Sequence, residues 1–381
     1  MRSRVFGLVG WCLVAFVWLA PAWSQAFDPA QARREEAAGI DWYDLKNLPV
    51  EGRGWKDTAA FYDRLPAKAE ALIRKDVWNL SRHSAGLCVR FTTASPAIHC
   101  RWTVTSSNLA MPHMPATGVS GVDLYVKHQG AWRWLACGFP REQTNQAALV
   151  SGLPAEEREY LLYLPLYNGV SEVELGVARG ATVATAAGYG AGKEKPIVFY
   201  GTSITQGGCA SRPGMVHTAI LQRRLGRPVI NLGFSGNGRM EAELGRLLAE
   251  LDPAVYVLDC LPNINAAEVR ERTEPLVKIL RDTHPQTPIL LVEDRSYSDS
   301  FLVESKRTRN VESRKELRGA FVRMQQAGVP GLHYLEGEHL LGADNEGTVD
   351  SSHPTDLGFV RQADAFEAAL RPILGLPADT R

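Results

Sequence analysis

The sequence predicts an α/β protein: a doubly wound parallel sheet in the second half of the chain, preceded by a β-sandwich. Three observations carry this. From about Gly86 to Val177 the chain is a series of short β-like runs between turn residues, several alternating apolar with polar as half-exposed antiparallel strands do. The stretch "ATAAGYGAGKEKP", Ala184 to Pro196, is glycine-rich and poor in large apolar side chains, which marks a linker or domain seam. After it the period changes to β-branched apolar runs without alternation, interleaved with helical segments, the pattern of parallel strands covered on both faces.

In the first half the strand candidates are "LCVRFTT", "IHCRWTVT", "VDLYVKH", "WRWLACG", "EYLLYLPL" and "SEVELGV". Before them, Phe27 to Arg82 holds aromatics and one helical candidate, Pro66 to Trp78, and is expected to wrap against the sandwich. In the second half the strands are "PIVFYG", "PVINLG", "AVYVLDCL", "PILLVED" and "GLHYLEG". They alternate with helices expected over Val216–Leu225, Met240–Leu251, Ala266–Thr283, Asn310–Ala327 and Asp356–Leu374.

Arg2 and Arg4 precede an apolar run from Val5 to Ala20 that ends in Pro21 and the small-residue pattern Ala22-Trp23-Ser24, the form of a cleaved export signal. An uncleaved anchor is the rival, since the run approaches the ~18 apolar residues of a spanning helix. The expected organisation is a signal at 1–24, a β-sandwich at 25–190 and an α/β domain at 194–376, in a secreted or periplasmic protein with no stable membrane insertion after cleavage. Of 381 residues 45% are hydrophobic and 22% charged, and Lys+Arg balances Asp+Glu at 42 each. No basic field suggests nucleic acid as a partner. Beyond residue 24 lie Cys88, Cys100, Cys137, Cys209 and Cys260, an odd number, so at least one is free or pairs with another chain. Scattered histidines and the lack of Cys-x-x-Cys or His-Glu-x-x-His spacing give no metal site, and no cofactor is expected.

In a doubly wound sheet, ligands sit outside the carboxyl ends of the strands. The residues found there are Gly201-Thr202-Ser203, then Gly233 to Asn237, then Leu261-Pro262-Asn263, then Asp294-Arg295, and finally "DSSHPTDLG", Asp350 to Gly358. Acyl transfer by serine needs a nucleophile, a base, an orienting group and donors for the oxyanion. Ser203 fits the first, His353 the second and Asp350 the third, with the Ser203 and Gly236 N–H groups and the Asn263 amide as donors. Pro354 keeps His353 out of helical geometry. Each piece alone also fits turn chemistry or a helix start; their coincidence on successive strand ends carries the reading.

The Gly-x-Ser-x-Gly elbow is not matched, because Thr205 stands at its last glycine. Gly201-Thr202-Ser203, Gly236, Asn263 and Asp350-x-x-His353 resemble instead the four sequence blocks of the SGNH (GDSL-type) hydrolases, esterases on a flavodoxin-like sheet. The resemblance covers roughly Lys195 to Leu374. "GVDLYV", Gly121 to Val126, looks like the β-rich domain named for its Gly-x-Asp-Leu-Tyr motif that precedes some members. The resemblance implies Ser203 as nucleophile, His353 as base, Asp350 as its partner, and Ser203, Gly236 and Asn263 as oxyanion hole. Thr202 replaces the usual Asp of the first block, and Leu261-Pro262-Asn263-Ile264 departs from the third.

The expected activity is that of an exported serine esterase acting on small acyl, in particular acetyl, esters of a small molecule or a carbohydrate. A short-chain lipase or arylesterase on the same triad is one alternative; a carbohydrate-binding protein with a non-catalytic hydrolase half is another. Glu293, Asp294 and Arg295 read as a charged rim, either holding polar substrate or forming a surface ion pair. Cys209 and Cys260 read as a bridge across the site or as two buried thiols, and Cys88 and Cys100 carry the same ambiguity. "SRPGM", Ser211 to Met215, is placed at the mouth of the cleft, and Asp123 is expected to take a turn or interdomain hydrogen bond.

Overall fold

The computed structural model describes residues 25–378; the expected export signal at 1–24 lies outside the described residues. The first half forms strands β1 (Arg33–Glu35), β2 (Ile40–Asp44), β3 (Val50–Glu51), β4 (Cys88–Thr93), β5 (Ala97–Val104), β6 (Val122–His128), β7 (Ala131–Gly138), β8 (Thr144–Ser151), β9 (Arg158–Tyr163), β10 (Val170–Ala178) and β11 (Val183–Thr185). They make two antiparallel sheets, β1-β2-β10-β5-β8 and β11-β4-β9-β6-β7, with β3 paired to β4. Between them Trp102, Phe91, Tyr160, Leu124 and Val173 form one buried core. The alternation of β5 is visible residue by residue: Ile98, Cys100, Trp102 and Val104 are buried, and the residues between them are not. Strand β8, "TNQAALVS", is not among the strands its sequence pattern predicts: it lies half-exposed at the edge of its sheet, and only Ala147, Leu149 and Val150 pack, partly buried, against the core.

The second half holds β12 (Ile197–Gly201), β13 (Val229–Gly233), β14 (Val255–Asp259), β15 (Ile289–Val292) and β16 (Leu332–Leu335), all parallel, in the order β13-β12-β14-β15-β16. This is the flavodoxin-like order, with its switch point beside β12. The α-helices among the described residues are α1 (Lys75–Ser81), α2 (Ala116–Val119), α3 (Ser203–Gln206), α4 (His217–Leu225), α5 (Ala242–Leu248), α6 (Ala266–Thr283), α7 (Glu304–Gln326) and α8 (Asp356–Ile373). Every residue of β12 through β15 is buried, because alternate side chains go to opposite covered faces. Val198, Tyr200 and Leu258 meet α5, α6 and α7. Ile197, Phe199 and Val257 meet α4 and α8. Helix α7 starts six residues before the sequence expectation, since its first turns, "ESKRTR", are polar and present no apolar stripe.

The segment before the sandwich divides. Tyr43, Leu45, Leu48 and Tyr62 enter the sandwich core as expected. Trp55, Leu65, Ala69, Val77 and Trp78 instead join the core of the parallel sheet. The expected helix Pro66–Trp78 is a 3-10 turn at Ala67–Ala71 followed by α1, each packing apolar residues onto that layer. Arg64 is fully buried at this junction and donates to four carbonyls, those of Leu80 (2.7 Å), His83 (2.9 Å), Asn231 (3.1 Å) and Gly233 (2.8 Å). Burial pushes its pKa down to about 9. Through the last two carbonyls it ties the N-terminal segment to the carboxyl end of β13.

Candidate active site

Strand β12 ends at Gly201 and turns at once into α3, whose first residue is Ser203. Glycine is required at the turn: a Cβ at Gly201 would lie 2.0 Å from Thr205 Oγ1, and one at Gly233 of the neighbouring strand 2.1 Å from the Gln206 nitrogen. The Thr202 hydroxyl accepts from the Ile204 N–H (3.3 Å), so threonine at the usual Asp position still caps the turn. Thr205, at the place of the unmatched elbow glycine, donates to Asp259 (3.1 Å). Asp259 closes β14 and is fully buried in a bidentate pair with Arg295 (2.5 and 2.6 Å), which in turn donates to Gln362 of α8 (2.9 Å).

That pair corrects the reading of Glu293, Asp294 and Arg295 as a charged rim. All three are buried, because α7 and α8 close over the end of β15. Glu293 accepts from the Tyr334 hydroxyl (2.6 Å) and the Gly337 N–H (2.9 Å). Burial raises the pKa of Asp294 to about 6 against the opposing pull of Arg295. These charges hold loops together beneath the site.

Ser203 is 8% exposed, and its Oγ lies 2.8 Å from His353 Nε2. His353 Nδ1 lies 2.7 Å from Asp350 Oδ2, while Asp350 Oδ1 accepts from the backbone N–H groups of His353 (2.8 Å) and Ser352 (3.1 Å). Ser351 takes a φ of 74°, the bend that folds Asp350 back onto the imidazole. Burial of Asp350 works against its ionisation, but the His353 N–H, the imidazole and the Ser352 N–H outweigh it and hold the carboxyl below the ordinary range. Thr355 caps α8 through the Gly358 N–H (3.3 Å), so His353 stays outside the helix as its proline neighbour requires.

Gly236 sits at φ 68°, with open space where a Cβ would project, and its N–H has no partner among the described residues. The adjoining Gly238 packs against the Gly201 carbonyl, where a Cβ would come within 1.9 Å. With the Asn263 amide turned so that its oxygen meets donors, Oδ1 accepts from Asn237 (2.9 Å) and Gly238 (3.1 Å), leaving the NH2 group on the opposite edge. Among the described residues no disulfide is present; Cys88, Cys100, Cys209 and Cys260 are buried thiols, and burial pushes Cys209 up to about 12.

Several residues around this site come from the N-terminal half and were not anticipated. The Tyr167 hydroxyl donates to the Ser203 carbonyl (3.1 Å). Gln206 of α3 accepts from the Ser235 N–H (3.0 Å) and donates to the Leu166 carbonyl (3.1 Å), and its amide is 3.0 Å from His83 Nδ1. One side chain thus joins the serine helix, the Gly236 loop and the sandwich. The His113 ring stands edge-on to His353, with centroids 5.9 Å apart. Asp123 of the Gly-x-Asp-Leu-Tyr motif takes the interdomain role expected of it: fully buried, it accepts from Arg212 (2.8 Å), Gly214 N–H (2.8 Å) and Trp134 (2.9 Å). "SRPGM" is therefore the latched partner of that motif, and Ser211 continues to Asp356 at the start of α8. Tyr167 and His83 carry no local sequence signal, since their roles arise from side chains reaching across the seam.

A model of the GDSL-like lipase/acylhydrolase family matches residues 194–371, and one described as the N-terminus of Esterase_SGNH_hydro-type matches residues 40–183. Among solved structures, one from Bacteroides ovatus ATCC 8483 assigned as a GDSL-like lipase is 34% identical, with a TM-score of 0.85 over 90% of this chain and 100% of that one. The salicylyl-acyltransferase SsfX3 of a tetracycline biosynthetic pathway is 20% identical, with a TM-score of 0.70 over 91% of this chain and 100% of that one. A family two carbohydrate esterase from Clostridium thermocellum, in complex with cellohexaose, is 16% identical, with a TM-score of 0.53 over 76% of this chain and 92% of that one. The last two show the fold alone. No curated protein sequence matches the chain. Sequence match, sheet order and the fit to the Bacteroides structure over nearly the whole chain agree: the protein is a hydrolase acting on esters and belongs to the GDSL-like lipase/acylhydrolase family, with the GxDLY-type N-terminal domain.

Proposed function

We propose that the protein is an exported serine esterase that removes small acyl groups, acetyl in particular, from a carbohydrate, using Ser203, His353 and Asp350. The observation that carries the chemistry is the hydrogen-bonded chain Ser203 Oγ to His353 Nε2 (2.8 Å) and His353 Nδ1 to Asp350 (2.7 Å). His353 Nε2 takes the proton as Ser203 Oγ attacks the ester carbonyl. The carbonyl oxygen gathers charge and is met by the N–H groups of Ser203 and Gly236 and the Asn263 amide. His353 then gives the proton to the departing alcohol, and a water molecule, deprotonated by the same imidazole, releases the acid from Ser203. Asp350 holds the Nδ1–H tautomer and stabilises the imidazolium throughout.

The fold shared with a carbohydrate esterase whose structure holds cellohexaose supports a saccharide as the alcohol. The charged and apolar pattern of residues 1–24 supports export; N-terminal sequencing of the protein from the periplasm or medium, starting at Gln25, checks it. The chemistry is tested by acetate release from p-nitrophenyl acetate and from an acetylated xylan. Ser203→Ala removes turnover by about 10³-fold or more with the fold retained, and a chelator leaves it unchanged. Activity surviving in Ser203→Ala rejects the assignment. A preference for other short acyl groups, or for aryl alcohols, over acetylated saccharide rejects the acetyl-carbohydrate assignment in favour of a short-chain lipase or arylesterase on the same triad.

A further inference from the structure

The chain is neutral overall, yet a cavity of about 750 Å³ at the seam between β6–β7 and helices α4 and α8 is lined by basic side chains and, among the described residues, by no carboxylate. That volume is within the usual size of a small-ligand site. Three of its cations are paired with carboxylates outside that lining: Lys127 with Glu159 (2.9 Å), which lines the adjoining cavity, Arg224 with Asp364 (2.6 Å) and Glu367, and Arg371 with Glu367. Arg223 is held without a carboxylate, its guanidinium 4.0 Å from the Tyr125 ring and donating to the Gly214 carbonyl (2.8 Å). Arg133 and Lys193 have no carboxylate within ion-pair distance among the described residues. Lys193 Nζ reaches across to Gly226, 3.9 Å from where a Cβ would stand.

The last turn of α4 accounts for Arg223 and Arg224, which face the negative end of the helix. It does not account for Lys127, Arg133 and Lys193, which arrive from the sandwich and the linker. Trp132 lines the same cavity, half-buried, with Lys127 Nζ 5.8 Å from its ring. An aromatic face beside unneutralised cations suits a ligand with an apolar ring face and anionic substituents. We propose that this cleft binds an acidic saccharide, a pyranose ring against Trp132 and its carboxylate toward Lys193, Arg133 and Arg223. None of these side chains belongs to the Ser203 site, so the binding stands or falls separately from the esterase reading.

The test is calorimetric titration of the whole protein with trigalacturonate, cellotriose and inorganic phosphate, at low salt and at 0.3 M salt, in the parent, Ser203→Ala, Trp132→Ala and the double variant Arg133→Glu/Lys193→Glu. Expected is binding of trigalacturonate at least ~10-fold tighter than cellotriose, weakened by salt as exposed charges are screened, and unchanged in Ser203→Ala. The double variant loses ~10-fold or more in affinity while hydrolysing p-nitrophenyl acetate as the parent does. Trp132→Ala weakens trigalacturonate and leaves phosphate unaffected. Equal affinity in the double variant, cellotriose binding as tightly as trigalacturonate, or phosphate displacing the saccharide at equal concentration each overturns the proposal.

Discussion

The two halves of the molecule reach Ser203 in different ways. The parallel sheet presents backbone: Ser203, Gly236 and His353 stand on short turns at strand or helix ends, set by glycines at 201, 233 and 238 that nothing larger could replace. The N-terminal half presents side chains: Tyr167 and Asp123 from the sandwich, and Arg64 and His83 from the segment before it, reach over to hold carbonyls, amides and one guanidinium of the other half. The parallel-sheet half carries the groups proposed to react. The N-terminal half braces them, and a brace is felt first in stability and only then in rate.

The contrast orders the expected effects. Asp350→Asn reverses the hydrogen bond that sets the imidazole tautomer and lowers kcat by about 10³-fold or more, with urea unfolding nearly unchanged. Asn263→Ala lowers kcat by about 10²-fold or more and spares KM, since an oxyanion donor acts in the transition state. Asp123→Ala does the opposite: with Arg212 left without its buried partner, stability falls by about 3–5 kcal/mol in urea unfolding, while the folded fraction keeps most of its turnover. Tyr167→Phe removes one hydrogen bond to the Ser203 carbonyl and lowers stability by about 1 kcal/mol in urea unfolding, with kcat lowered by less than about fivefold at unchanged KM. If it costs as much as Asn263→Ala, the division between reacting and bracing groups is wrong.

A further effect of the brace is in pH. Burial, with Arg64 nearby, lowers the His83 pKa from 6.5 to about 4. A depressed folded pKa means that its contribution is complete above about 6.5 and is lost as pH falls through about 4. Tm measured from pH 7 to pH 4 therefore falls less steeply in His83→Gln than in the parent. Identical slopes place His83 outside the bracing set.

Much of the site was legible in one dimension because its parts are local. Asp350 and His353 are three residues apart and fold onto each other within one bend. Ser203, Gly236 and Asn263 each follow a run whose apolar continuity identifies a covered parallel strand, and the fold rule then collects strand ends on one rim. The same rule misled at Glu293, Asp294 and Arg295: they too follow a strand, but α7 and α8 cover them, and coverage is not written at the strand end itself.

What the sequence determined alone was the change of period at the seam, the parallel strands and their order of chemistry, and the Asp-x-x-His pair, since each depends on neighbours or on a repeating pattern. The tertiary structure decided what distance along the chain hides. Trp55, Leu65, Ala69, Val77 and Trp78 join the parallel sheet and not the sandwich, while Tyr62 between them stays with the sandwich. Gln206 links two loops to Leu166 and His83, and Lys127, Arg133 and Lys193 converge on a cleft with Trp132. The physical reason is common to all three: burial and field depend on which surfaces meet, and periodicity reports only the side an element turns inward, not what lies opposite it.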